Sequence, residues 1–481
     1  MSTRKLIHLS LRRTHHRPST VRHHATLSPI PATPPPSTPS PPPPTAMIYD
    51  RLAETVKSKL KSLQNPDPRF LRYTSPHPIA ADHSQILQFP ATQITTLPNG
   101  LRVVTESRLA SGSGSVGVYL DSGSRFESDE KNGVGSFLER VVLTSENEDA
   151  ANIGAELEGF TGREISGFLG KVAAQNSGKL VEVFGSLLQN SDFSDEKLEK
   201  VRNAILREKE LMGVEGDQVI MDQLHATAFQ YTPLGVVKHE EVVEQVKKVF
   251  TKLSPNPITT SQLVASDPVN FTGSEVRMIN DDLPLARFAV AFEGASCKDP
   301  DAIALMVVQT MLGSWSKTEE SGKHAGSELV QRTSINEIAE SIKTFNINYK
   351  DTGLFGVYAL AQPDCLDDLS YAIMHVISKL SYRVSEEDVI RARNQLKSSL
   401  LAKSKGISRA AEDVGQQLLT YGRRIPFAEL FARIDAVDAS AVKRAADRFL
   451  FDKDIAIAAM GPIKKLPDYN WFRRRTYWLR Y

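Results

Sequence analysis

Glu139 and Arg140 stand side by side in Gly133-Val134-Gly135-Ser136-Phe137-Leu138-Glu139-Arg140-Val141-Val142-Leu143, an apolar run of helical type that follows a Lys131-Asn132-Gly133 turn. Residues 136, 139 and 140 fall on neighbouring positions of one helical face. The frame Ser-x-x-Glu-Arg has the spacing of an inverted zinc-hydrolase motif, His-x-x-Glu-His. In that motif two imidazoles one turn apart bind Zn²⁺, and the carboxylate between them acts as general base on the metal-bound water. Here Ser136 and Arg140 replace both imidazoles, and Glu139 remains. A serine hydroxyl is a poor zinc ligand and a guanidinium is a permanent cation. Residue 140 therefore puts positive charge where a metal would sit, and an ion pair with a nearby carboxylate is expected. Beyond residue 46 the histidines are His77, His83, His225, His239, His324 and His375, and no two of them have the spacing of a helical metal pair.

The elements around this run alternate between strand and helix patterns. Thr95-Thr96-Leu97-Pro98-Asn99-Gly100-Leu101-Arg102-Val103-Val104 reads as strand, Asn-Gly turn and strand, and Ser115 to Asp121 as a further strand. A repeat lies beneath this pattern. Val116–Gly123 matches Phe288–Ala295, Phe168–Gln175 matches Leu354–Gln362, and Ser194–Asn203 matches Ser385–Asn394, in the same order. The predicted fold is α+β, built of two homologous halves in which mixed sheets pack against helices. The halves are unequal. The second runs from Leu418-Leu419-Thr420-Tyr421-Gly422 through two helical stretches to a strand at Ile455–Met460, whereas the first passes from Phe229–Gly235 almost directly into a helix over Lys238–Leu253. The amino-terminal half thus lacks its final helix and strand, and should be the less stable one.

Five segments follow: 1–46, a targeting stretch and Pro-rich spacer; 47–91, a helix and extended linker; 92–264, the shortened half; 265–463, the complete half; and 464–481, a basic aromatic tail. The first carries Arg4, Lys5, Arg12, Arg13, Arg17 and Arg22 before the first acid, Asp50, with Leu6, Ile7, Leu9 and Leu11 on an apolar side. That is the composition of a mitochondrial presequence. The tail, Lys464-Lys465 and Arg473-Arg474-Arg475 among Tyr469, Trp471, Phe472, Tyr477 and Trp478, is expected to pack on a partner or on the second half, with anionic lipid contact as the other reading. Net charge is +1, so no nucleic-acid partner is expected. Cys297 and Cys365 are read as reduced thiols.

The chain resembles the M16, pitrilysin-type metallopeptidases, in the branch that supplies β-type processing-peptidase subunits and core subunits of the cytochrome bc1 complex. The resemblance rests on Leu97-Pro98-Asn99-Gly100-Leu101, Gly123–Glu130, His225–Tyr231, Tyr349–Tyr358 and Phe472–Trp478, runs from Met47 to Tyr481, and is weakest between Lys131 and Gly216. It implies a zinc endopeptidase of the mitochondrial matrix or the matrix side of the inner membrane. Such an enzyme pairs as a heterodimer with an α-type subunit and takes presequence peptides into an acidic cavity between the halves. Carried over by position, the two zinc-binding histidines fall on Ser136 and Arg140, the general base on Glu139, the distal zinc ligand on Glu208 and a supporting acid on Val201. Glu139 and Glu208 match; Ser136, Arg140 and Val201 do not. The 68-residue step from Arg140 to Glu208 is also shorter than the family's spacing. Two functions are therefore expected: a catalytically inactive β-type subunit that binds no zinc, which we favour, or a zinc metalloendopeptidase subunit that cleaves presequences.

Overall fold

The computed structural model describes residues 92–97, 101–106, 112–127, 132–144, 148–189, 193–212, 216–230, 264–265, 268–318, 320–404 and 406–477. The expected presequence, spacer and first helix, the Asn99-Gly100 turn and the helix over 238–253 lie outside these residues.

The amino-terminal half opens with β1 (Gln93–Thr96) and β2 (Arg102–Thr105), then β3 (Ser113–Leu120) and the motif helix α1 (Val134–Leu143). There follow α2 (Glu148–Asn152), β4 (Glu156–Thr161), β5 (Ser166–Ala173), α3 (Ser177–Gln189), α4 (Asp195–Met212) and α5 (Asp217–Ala228). The strands on either side of the expected turn do pair, antiparallel from Gln93↔Thr105 to Thr96↔Arg102. This hairpin is a sheet of its own, and β3, β5 and β4 form a separate antiparallel sheet in the order β3-β5-β4. One face of that sheet is apolar: Phe168 and Val172 of β5 are buried with Leu180, Val183, Phe184 and Leu187 of α3 and Val142 of α1.

The carboxy-terminal half begins with β6 (Ser274–Ile279), β7 (Ala286–Glu293), α6 (Ala302–Leu312), β8 (Ser314–Ser316), α7 (Glu328–Ile335), β9 (Ser341–Asn348) and β10 (Gly353–Ala361). It continues with α8 (Leu366–Lys379), α9 (Glu386–Ser404), α10 (Ile407–Tyr421), α11 (Phe427–Asp435), α12 (Ala439–Phe449), β11 (Ile455–Gly461) and α13 (Tyr469–Arg475). Its six strands run β6-β11-β7-β10-β9-β8. The set β7, β10, β9 corresponds to β3, β5, β4, as the repeat requires. The extra strand β11 lies antiparallel to β7 and parallel to β6. Every residue of β11 is buried, which is why Ile455–Met460 reads as an unbroken apolar run.

Each half lends a helix to the other. Ile220, Leu224 and Ala228 of α5, with Phe229, are fully buried against Ala289, Ala291, Ala456, Ala458 and Met460 on one face of the second sheet. Burying Ile220, Leu224 and Phe229 contributes about 1.5–3 kcal/mol apiece, which fixes α5 in place. In return α10 packs on β3: Gly415 sits so close to the Tyr119 ring that an added Cβ would overlap it. The tail belongs to the second half, since Phe472 of α13 is fully buried in the core that also contains Phe288 of β7. Arg473 is held by Asp452 and Asp454, each at 2.9 Å, while Arg475 lies 3.8 Å over the Trp471 ring. No helix among the described residues is long and apolar enough to cross a membrane.

Candidate functional site

Glycine starts the motif helix. Gly133 adopts φ 90°, which lets the chain turn sharply into α1. Its backbone N–H and that of Gly135 donate to the Glu127 carboxylate at 2.6 and 2.7 Å, so an acid from Gly123–Glu130 satisfies the exposed N–H groups of the first turn. Phe137 and Val141 then face Leu198 and Val201 of α4 in a small buried cluster. Val201 is 1% exposed and acts as packing.

The polar residues of α1 separate into two pairs. Glu139 accepts a hydrogen bond from the Thr161 hydroxyl of β4 at 2.7 Å, and its chain lies on Gly159, where an added Cβ would approach Glu139 Cγ to 2.6 Å. Arg140 reaches α4 instead. Its two terminal nitrogens meet the two oxygens of Glu208 at 2.9 and 3.2 Å, a fork-to-carboxylate pair. Ser136 is exposed. The side chains at 136, 139, 140 and 208 thus bring together one hydroxyl, two carboxylates and one guanidinium, with Glu208 committed to Arg140. Among the described residues no group of three or more His, Cys, Asp or Glu side chains could hold a metal ion. These four side chains do not fit Zn²⁺: they include no imidazole, and the Arg140 guanidinium already occupies the Glu208 carboxylate.

A second polar centre, outside the expectations drawn from the sequence, lies around the loop Asp121–Arg125. Arg125, 3% exposed, donates to Glu164 at 2.5 Å and through both terminal nitrogens to Asp351 at 2.6 Å. Glu164 also accepts from the Lys350 backbone N–H at 3.0 Å, and Lys350 Nζ meets Asp121 at 2.5 Å. Asp121, Arg125 and Glu164 come from the first half, Lys350 and Asp351 from the second, so the charges join the halves. Burial pushes the Glu164 carboxyl up, more than Lys350 and Arg125 pull it down. Burial also works against the Asp351 carboxylate, but there Arg125 prevails and holds it below its ordinary range. The pairing of Gly123-Ser124-Arg125 with Tyr349-Lys350-Asp351, two of the quoted family stretches, was the available signal.

His225 is a packed core residue. It is 3% exposed; its Nδ1 donates to the Met221 carbonyl at 2.6 Å, and its Nε2 accepts from the Tyr349 hydroxyl at 2.8 Å. Burial, with the Arg163 charge, lowers its pKa to about 3, so the ring stays neutral.

The family model "Insulinase (Peptidase family M16)" matches residues 102–237, and "Peptidase M16 inactive domain" matches 225–396. An Arabidopsis thaliana protein named "Probable mitochondrial-processing peptidase subunit beta, mitochondrial" is 57% identical over 502 aligned positions, 95% of this chain and 93% of its own length. That alignment is longer than the present 481 residues, so the relative carries residues missing here. A mouse protein named "Cytochrome b-c1 complex subunit 1, mitochondrial" is 34% identical over 83% of this chain and 93% of its own. Among solved structures, a chain of "Complex III2 from Candida albicans, Inz-5 bound" has the same fold, with TM-score 0.71 at 23% identity over 81% of this chain and 100% of that one. The family is in general zinc-dependent. Two family models on the two halves, with 57% identity over 95% of the length, place one conclusion beyond the fold: this chain belongs to the M16 peptidase family.

Proposed function

We propose that this chain is a β-type subunit of the processing-peptidase and bc1-core branch, working in the mitochondrial matrix or on the matrix side of the inner membrane without catalysing proteolysis. It pairs with an α-type subunit, or sits as a core subunit in the bc1 assembly, and offers surface rather than chemistry. One observation carries this reading: Arg140 grips Glu208 in the place of a zinc ion, giving α1 and α4 a metal-free electrostatic tie. The apolar Val201 packs where the family's supporting acid would stand, and the names of the relatives support the location. The competing reading, zinc-dependent cleavage of basic presequences, rests on Glu139 and Glu208, which keep the family's general base and distal ligand.

The deciding measurement is zinc per chain, by elemental analysis, in mature protein co-purified with an α-type subunit and assayed on a presequence peptide with and without chelator. Zinc well below one per chain and no chelator-sensitive cleavage are expected. Stoichiometric zinc with chelator-sensitive cleavage would overturn the proposal.

A further inference from the structure

A cavity of about 150 Å³ lies beside β8, last in the order of the six-stranded sheet. Its floor is apolar. Trp315 of β8, 8% exposed, pairs across to Ile342 of β9, and Ala339, 3% exposed, leads into that strand. The 3-10 turn Glu320–His324 closes down on this floor at Gly322, where an added Cβ would overlap the Trp315 indole nitrogen and the Ser334 Cβ. The wall there is backbone, and only glycine lets it approach so closely. The rim is charged. Lys317 is committed to Glu340 at 2.8 Å. Lys323 and Glu337 line the cavity as well; both are exposed, and neither has a hydrogen-bond or ion-pair partner among the described residues. Glu337 holds its place against strain. It follows α7, whose end is closed by the Ile338 N–H donating to the Thr333 carbonyl at 3.2 Å, and it takes φ 52°. That left-handed position favours glycine or asparagine, because a Cβ there crowds the next carbonyl oxygen. A glutamate thus stands where glycine would fit with less strain, and its carboxylate is free for a ligand.

We propose that this cavity binds a free α-amino acid with an apolar side chain. Glu337 takes the ammonium group, Lys323 takes the carboxylate, and the side chain enters against Trp315 and Ala339. The two unpaired charges select a zwitterion. A simple anion or a monoamine would meet one like charge in so small a space. The volume sets the size, since an apolar cavity of this volume holds benzene, and the indole favours an aromatic guest. A residue inside a peptide, or at one end of it, carries at most one of the two charges on its α-carbon, which makes the guest a free amino acid. The site belongs to the second half and does not involve Arg140 or Glu208, so it stands apart from the question of proteolysis.

The probe is L-phenylalanine, titrated calorimetrically into the mature chain. Saturable binding of one molecule per chain, with Kd of about 1 mM or tighter, is expected. N-acetylphenylalanine lacks the ammonium group, phenylalanine amide lacks the carboxylate, and glycine lacks the side chain. Each should bind about tenfold more weakly or worse. Lys323→Gln and Glu337→Gln, both at exposed positions, should each weaken L-phenylalanine by about the same factor and leave the thermal midpoint unchanged. Glu337→Gly separates ligand from fold: it relieves the left-handed strain, so it should raise the thermal midpoint while binding is lost. Failure to saturate by about 10 mM overturns the proposal. So does equal binding of the three analogues, or affinity that survives in the Lys323 and Glu337 variants.

Discussion

Replacing Arg125 by leucine should cost this protein a large share of its stability, and the loss should depend on pH. The guanidinium makes three contacts of 2.5–2.6 Å with Glu164 and Asp351, whose side chains are 10% and 22% exposed, while its own is 2% exposed. Leucine keeps most of the packing volume and removes the charge. Glu164 would retain the Lys350 N–H, and Asp351 the Val269 N–H at 3.3 Å and its own backbone N–H. Breaking a buried pair and leaving its partner charged typically costs about 3–5 kcal/mol. Water reaches Asp351 in part, so we expect about 3 kcal/mol, against a total of roughly 5–15 kcal/mol for an ordinary domain. The sign with pH follows from the same contacts. In the intact protein Asp351 is held low, so its contribution is present above the ordinary carboxylate range and fades as pH falls through its folded value. In the variant both carboxyls are raised, and they recover stability as they take up protons. The gap between variant and wild type should therefore narrow from pH 7.5 to pH 5. Urea unfolding followed by circular dichroism at the two pH values tests this, and adding Glu164→Gln to Arg125→Leu should return part of the loss. A loss below about 1 kcal/mol at pH 7.5, or one that is equal at both pH values, would refute the argument.

Other substitutions test the remaining contacts. His225 stays neutral in the fold, with a pKa of about 3 against an ordinary value of 6.5, so folding loses stability as pH falls from 6.5 toward 3. His225→Gln should flatten that part of the curve of unfolding midpoint against pH, and an unchanged slope would show that other groups set it. The paired change Ser136→His with Arg140→His should let the chain keep about one zinc through dialysis with Glu208 as third ligand, read by elemental analysis; no gain of metal would mean that α1 and α4 are wrongly placed for it. Gly415→Ala should destabilise by roughly 1–3 kcal/mol by pushing on the Tyr119 ring, as a shift in thermal midpoint would reveal. Tyr119→Phe should be neutral or stabilising by about 1 kcal/mol in the same measurement, because the buried Tyr119 hydroxyl has no hydrogen-bond partner among the described residues.

The local properties of this chain were open to reading from residue order. The 3.6-residue period of Val134–Leu143 and the alternation around Val116–Leu120 specify one helix and one strand whatever surrounds them. The presence of serine at 136 and arginine at 140 is a fact of spelling, and the repeat, compared with itself, shows a first half shorter than the second. Which carboxylate Arg140 would choose was open, since Glu139 adjoins it and Glu208 lies 68 residues away. Packing decided it: Glu139 is drawn to Thr161 across Gly159, and the apolar contact of α1 with α4 brings Glu208 within reach. The exchange of α5 and α10 between halves, and the burial of Arg125 between Glu164 and Asp351, left no periodic trace. Each depends on residues up to 226 positions apart meeting across two sheets, and such pairings are set by the lowest free energy of the whole fold rather than by any local preference.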